Sequence, residues 1–195
     1  MRRTEITIDF YDIKNLISWD YDFSDNHVRR SLPDGKTTLF YLERFFTASK
    51  LKKYRSKSHF AKCELSKQAL PTIEELLNKT LKTYQDTKNL LEKTAKKLPF
   101  KDILKQESKQ HVEHIKIEIL PCAPALSFVR INQLCDESIS LLKQIHLSGS
   151  ITTKEYYQQR NNIYKDLNKL KTSIKKIVDG IGEKVKTIKE SEPQN

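Results

Sequence analysis

The chain has 195 residues, enough for one core with a small appended unit. Its 36 lysines and arginines outnumber 25 acids, and the net charge of +11 favours polyanionic partners, nucleic acid first. Only 4 glycines are present, which argues against sandwiches, barrels and Gly-rich phosphate loops, all of which need many tight turns.

Residues 4–10, TEITIDF, alternate Ile6, Ile8 and Phe10 with Glu5, Thr7 and Asp9, the period of a half-buried strand. Residues 11–36 read as a connecting loop with aromatic contacts from Trp19, Tyr21 and Phe23, closed by the turn Leu32-Pro33-Asp34-Gly35. From Thr37 to Lys53 a helix is expected, with Leu39, Leu42, Phe45 and Phe46 on one face. Its end is strongly basic. Lys50, Lys52, Lys53, Arg55, Lys57 and Lys62 crowd into a short stretch with Arg44 and Lys67 at its flanks, opposed by Glu43 and Glu64 alone. Tyr54, His59 and Phe60 are interleaved, a mixture suited to phosphate contact.

Pro71, followed by Glu74 and Glu75, marks the expected start of a helix that runs to about Lys97 before Pro99 stops it. Residues 99–111 are a polar connection with a short helix near Asp102 to Gln106. The alternation Ile115-Lys116-Ile117-Glu118-Ile119 then predicts a second strand, broken at Pro121 and Pro124. A helix follows over Ala125 to Ile145, with Leu126, Val129, Leu134, Leu141, Leu142 and Ile145 inward and Arg130 outward. After the break at residues 147–150, Thr152 and Glu155 form a capping-box pair. Tyr156, Arg160, Ile163, Leu167, Leu170, Ile174 and Ile177 then repeat as a heptad seam, either inside the chain or across a dimer. Gly180 and Gly182 are expected to end that helix, leaving a polar, frayed tail from Glu183.

No constellation spells out catalysis. His111 and His114 with Cys122 lack a fourth ligand, and in a strand the two histidines point to opposite faces. Asp20, Asp22 and Asp25 lack the glycine and closing glutamate of a calcium loop. Cys63 sits among lysines that would lower its pKa if it were exposed, but no histidine and acid accompany it by motif. The three cysteines, Cys63, Cys122 and Cys135, have no paired spacing, which suits a reducing compartment. With no apolar leader in MRRTEITIDF and no apolar run of membrane length, a cytoplasmic protein is expected. No enzyme activity, metal, cofactor or small-molecule substrate is expected.

The fold class expected is mainly α with a small β component: a ribbon-helix-helix-like strand-helix-helix unit plus additional long helices. Residues 1–36 hold the N-terminal strand and aromatic, acidic loop. Residues 37–182 form the helical DNA-binding domain, with the strand-helix-helix unit at 112–180, and 183–195 the tail. In such a unit the strand pairs with that of a second subunit, and outward Lys116 and Glu118 would read base edges in the major groove. Arg130 and the basic segment would hold phosphates.

The layout from about Leu39 to Asp179 resembles the AcaB-like family of regulators of integrative conjugative elements and conjugative plasmids. The aromatic helix ending FFTASKLKKY, the strand, the proline-bearing PCAPALSF, the helix RINQLCDESISLLKQI and the closing ITTKEYYQQRNNIYKDL carry the likeness. It departs at Ser56-Lys57-Ser58-His59-Phe60, where an acidic pair and an aromatic are expected. The resemblance implies a homodimeric, ribbon-helix-helix-type protein that binds double-stranded DNA and regulates transfer of a mobile element. Two other readings stand beside it: a helical adaptor gripping a protein through the 156–177 seam, and an RNA binder that stacks single strands on Tyr54, His59 or Phe60.

Overall fold

Alternating isoleucines at both ends of one ribbon decide how the sheet forms. A computed structural model describes residues 2–24, 31–109 and 112–191. In it β1 (Thr4–Phe10) and β2 (Glu113–Ile119) pair antiparallel within the chain, Thr4 opposite Ile119 and Ile8 opposite Ile115. This register puts Ile8, Phe10, Ile117 and Ile119 on the buried face. The strand at 115–119 thus meets the chain's own N-terminus. The ribbon-helix-helix expectation, in which it meets its copy in a second subunit, is corrected here. Strand partners are a non-local choice, and the N-terminal strand offers a matching apolar face.

The stretch read as a loop contains a helix. The Asp12 carboxylate accepts from the N–H groups of Lys14 and Asn15 and caps α1 (Ile13–Trp19), which leads into a 3-10 turn at Tyr21–Phe23. Asp25 of the acidic trio lies outside the described residues. Trp19 is fully buried and stacks on Phe128, ring centroids 6.1 Å apart. A Cβ on Gly35 would lie 2.5 Å from Trp19 Cε3, so only glycine fits beneath the indole. Asp34 caps α2 (Gly35–Lys50) through the Thr37 N–H.

Helix α3 (Lys57–Ala95) starts well before the proline that was expected to open it. Its cap is Ser56, whose hydroxyl accepts from the His59 N–H at 3.0 Å. Pro71 sits inside the helix and forfeits one backbone hydrogen bond. Helix continuity is nonetheless kept, because Cys63 and Ser66 before the proline and Ile73, Leu77 and Tyr84 after it bury the same stripe. A short α4 (Lys101–Ser108) follows, close to the expected place.

The middle of the fold is α5 (Ala123–Leu147), which buries Phe128, Ile131, Leu134, Cys135, Ile139 and Leu142. Its Leu126 is exposed rather than inward, and Leu141 is half-buried. Against it and α3 packs α6 (Thr153–Glu190), opened by the expected capping box of Thr152 and Glu155. Tyr156, Ile163, Leu167, Leu170 and Ile174 are all buried in the chain's own core. The seam is therefore occupied internally, which removes it as the adaptor's gripping face. Gly180 and Gly182 do not stop α6, and the expected tail is helical through Glu190. Val178 and Ile181 pack on the core there, outweighing the roughly 1 kcal/mol that each glycine costs relative to alanine. Among the described residues no helix is long and apolar enough to cross a membrane.

Polar groups tie the N-terminal elements to α5 and α6. Asp12 accepts from Arg160 Nη2 at 2.7 and 2.8 Å and from the Tyr164 hydroxyl at 2.6 Å. Asp136, buried on α5, accepts from the N–H groups of Tyr11 at 2.6 Å and Asp12 at 3.2 Å, and from Asn15 Nδ2 at 3.2 Å. Burial pushes the Asp136 carboxyl up to about 7 from an ordinary value of 3.8, and the nearby Asp12 carboxylate adds to the rise, against the pull of its three N–H donors. The folded state therefore binds this proton more tightly than the unfolded chain does. The stabilisation it brings is complete below about pH 4 and is lost as pH rises through about 7. Urea midpoints at pH 5 and pH 8 should show wild type losing stability relative to Asp136→Asn over that interval; parallel profiles would refute the assignment.

Candidate nucleic-acid interface

The outward face of the β1–β2 ribbon carries Glu5, Thr7 and Asp9 opposite Glu118, Lys116 and His114. Lys116 Nζ is 3.1 Å from Glu5 Oε1, and His114 Nδ1 is 2.7 Å from Asp9 Oδ1. Glu5 and Glu118 stand directly opposite one another. The face is acidic on balance, so it would repel a phosphate backbone, and its one lysine is already matched. Arg130, on the exposed side of α5, is paired with Glu137 at 3.2 Å. Lys116, Glu118 and Arg130 thus fall on surfaces whose charge is largely compensated inside the chain. His111 of the histidine pair lies outside the described residues.

The corner between α2 and α3 differs. Residues 51–56 link the two helices, and Lys50, Lys52, Lys53, Arg55 and Lys57 are exposed along the link, with Lys62 half-buried one turn further on. Among the described residues none of these six cations, nor Arg44, takes part in an ion pair. Of the two acids that oppose them in the sequence, Glu43 is used elsewhere and only Glu64 stays at the corner. Glu43 is buried, ion-paired with Arg3, and its Oε1 accepts from the Leu120 N–H at 2.7 Å. Glu64 accepts from the Tyr54 hydroxyl at 3.4 Å. The positive charge at the corner is therefore left to face solvent.

Aromatic rings stand among these cations. Phe60 is 49%, Phe40 47% and Tyr54 40% exposed, unusual for rings of this size. Tyr54 meets Phe60 edge to face at 4.8 Å and His59 at 6.4 Å. The bend that presents them is local: the Arg55 N–H donates to His59 Nδ1 at 3.1 Å while Ser56 caps α3. Arg44 lies 5.2 Å over the Phe40 ring. A groove of about 320 Å³ runs between the two helices, lined in part by Phe40, Arg44, Thr47, Leu51, His59 and Lys62.

No family model matches the chain, and no curated protein or solved structure matches it either.

The C-terminal part of α6 extends the same surface. Val178, Ile181 and Val185 line a small apolar groove with Tyr41, Phe45 and Lys62, and Lys184 lies beside Ala61, Glu64 and Leu65 of α3. Lys184 and Phe40 are members of this surface that the sequence reading missed. The signal for Lys184 was its helical phase with Val178 and Ile181, hidden by the two glycines. Cys63, weighed as a reactive thiol, is buried on α3; burial pushes its pKa up, and the coulombic pull of Lys62 does not reverse that.

Proposed function

We propose that the protein binds nucleic acid through the α2–α3 corner, preferring single-stranded segments to continuous duplex. The observation that carries this is the run of cations without ion-pair partners, Arg44 and Lys50 through Lys62, set among exposed Phe40, Tyr54 and Phe60. Lysines and arginines would follow the phosphates, and rings of this exposure give unpaired bases a stacking surface, each stacked base contributing about 1–3 kcal/mol. Duplex binding uses the same cations but leaves the rings idle. Regulation of a mobile element's transfer, implied by the AcaB-like layout, belongs to the proposal as the process such binding would serve. Its base-reading residues would then lie at the corner rather than at Lys116 and Glu118.

The test compares a 20-nucleotide single strand with the matching duplex, by fluorescence anisotropy over a salt series. The expected result is tighter binding of the single strand and a steep salt dependence for both. Tighter binding of a duplex, unaffected by Phe60→Ala and Tyr54→Ala, would overturn the single-strand preference. No binding of either at low salt would overturn the function.

A further inference from the structure

At the other end of α3 lies a second group of lysines. Lys88 of α3, Lys96 just after that helix, Lys101 and Lys105 of α4, and Lys109 just beyond it line one cleft of about 510 Å³. Measured along α3, Lys96 is about 50 Å from Lys62, so the two basic surfaces are separate. The cleft falls in the roughly 300–1,000 Å³ range of pockets that hold small ligands.

Its charges are unevenly matched. Lys88 is held between Glu137 at 2.8 Å and Glu92 at 3.5 Å, and Glu137 also engages Arg130. Lys96, Lys101 and Lys105 form no ion pair among the described residues, and Asp102 is the one remaining acid on the lining. Lys109 Nζ sits 4.5 Å over the Tyr11 ring, which holds that cation at the mouth. The floor is formed by α5. There Gln144 is 6% exposed, lines the cleft, and its side-chain amide makes no hydrogen bond among the described residues. The amide still touches solvent in the cleft and is open to a polar group bound there. Beside it Leu141 and Tyr11 supply an apolar wall.

We infer that this cleft binds a small polyphosphate-bearing ligand. Four lysines, one just after α3, two on α4 and one just after it, converge on a cleft of small-ligand size. Lys96, Lys101 and Lys105 hold the phosphate oxygens, Lys109 closes the mouth against Tyr11, and the Gln144 amide meets a polar group at the floor. The site is independent of the corner, so either can fail alone.

Two probes decide it by isothermal titration calorimetry on the full chain: sodium tripolyphosphate and ATP, both without added metal. Saturable one-to-one binding of at least one probe is expected. The double variant Lys101→Glu/Lys105→Glu, on exposed positions of α4 that leave the core untouched, should weaken it at least 10-fold. Gln144→Glu should weaken it similarly, with circular dichroism confirming the fold. ATP binding at least 10-fold tighter than tripolyphosphate would identify a nucleotide, and equal affinities a site for the phosphate chain alone; both support the inference. Absence of saturable heat with either probe at millimolar concentration overturns it, as does unchanged affinity in the double variant. Loss of nucleic-acid binding on changing Lys52 and Lys53 with the cleft still saturable separates this site from the corner.

Discussion

Replacing Lys52, Lys53 and Arg55 together with alanine should weaken nucleic-acid binding about 100-fold at 0.1 M salt. Each lysine or arginine that displaces a counterion from a single strand contributes about 0.7 to the slope of log affinity against log salt, so the slope should fall by about 2. The three side chains belong to the exposed link between α2 and α3 and form no ion pair among the described residues. The substitutions should therefore leave the thermal transition almost unmoved. Lys116→Ala and Arg130→Ala provide the contrast, since both cations are already matched by Glu5 and Glu137 and should leave affinity within about twofold. If Lys116→Ala proved as damaging as the triple change, the ribbon would be the reading surface after all and the corner would lose its place.

The second large effect concerns stability. Asp12→Ala removes at once the cap of α1, the partner of Arg160 and the acceptor of the Tyr164 hydroxyl. Both carboxylate and guanidinium are mostly shielded, their side chains 12% and 15% exposed, so the arginine left behind is a charge in a poor solvent. Breaking such a pair from one side typically costs about 3–5 kcal/mol, a large share of the stability of a domain this size. Asp12→Asn keeps an oxygen for the cap and should recover part of that loss. Urea unfolding of the three proteins measures it; a loss below about 1 kcal/mol for the alanine variant would show that water reaches Arg160 freely.

Where residues speak to their neighbours in sequence, the fold was legible. The alternation of Ile115 to Ile119, the capping box of Thr152 and Glu155, and the heptad from Tyr156 to Ile177 all use periods set by the backbone, and all appear in the structure. Punctuation by single residues was less dependable. Pro71, Gly180 and Gly182 each disfavour a helix locally, yet flanking apolar residues packed on the core outweigh them. Helix α1 was hidden because seven residues are too few to show a period, although Asp12 before Ile13 is a capping signal in plain view. Contacts between distant residues had no local trace. Nothing around Ile117 names Ile6 as its partner, and nothing around Arg160 names Asp12. For the interface the same division holds: the lysines of 50–62 were visible as composition, while Phe40 and Lys184 join them only through the packing of α2, α3 and α6.

The passage of α6 through two glycines also grades that helix along its length. Between Leu167 and Ile174 its backbone is locked by buried side chains, whereas Gly180 and Gly182 meet nothing where a Cβ would be and bring extra freedom to the unfolded chain. Amides beyond Val178 therefore open to solvent long before those at the centre do. Lys184, Lys186 and Lys189 ride on this looser end. Val178, Ile181 and Val185 still hold it against α2 and α3, so opening spreads inward from the C-terminal turn while Lys184 stays beside the corner.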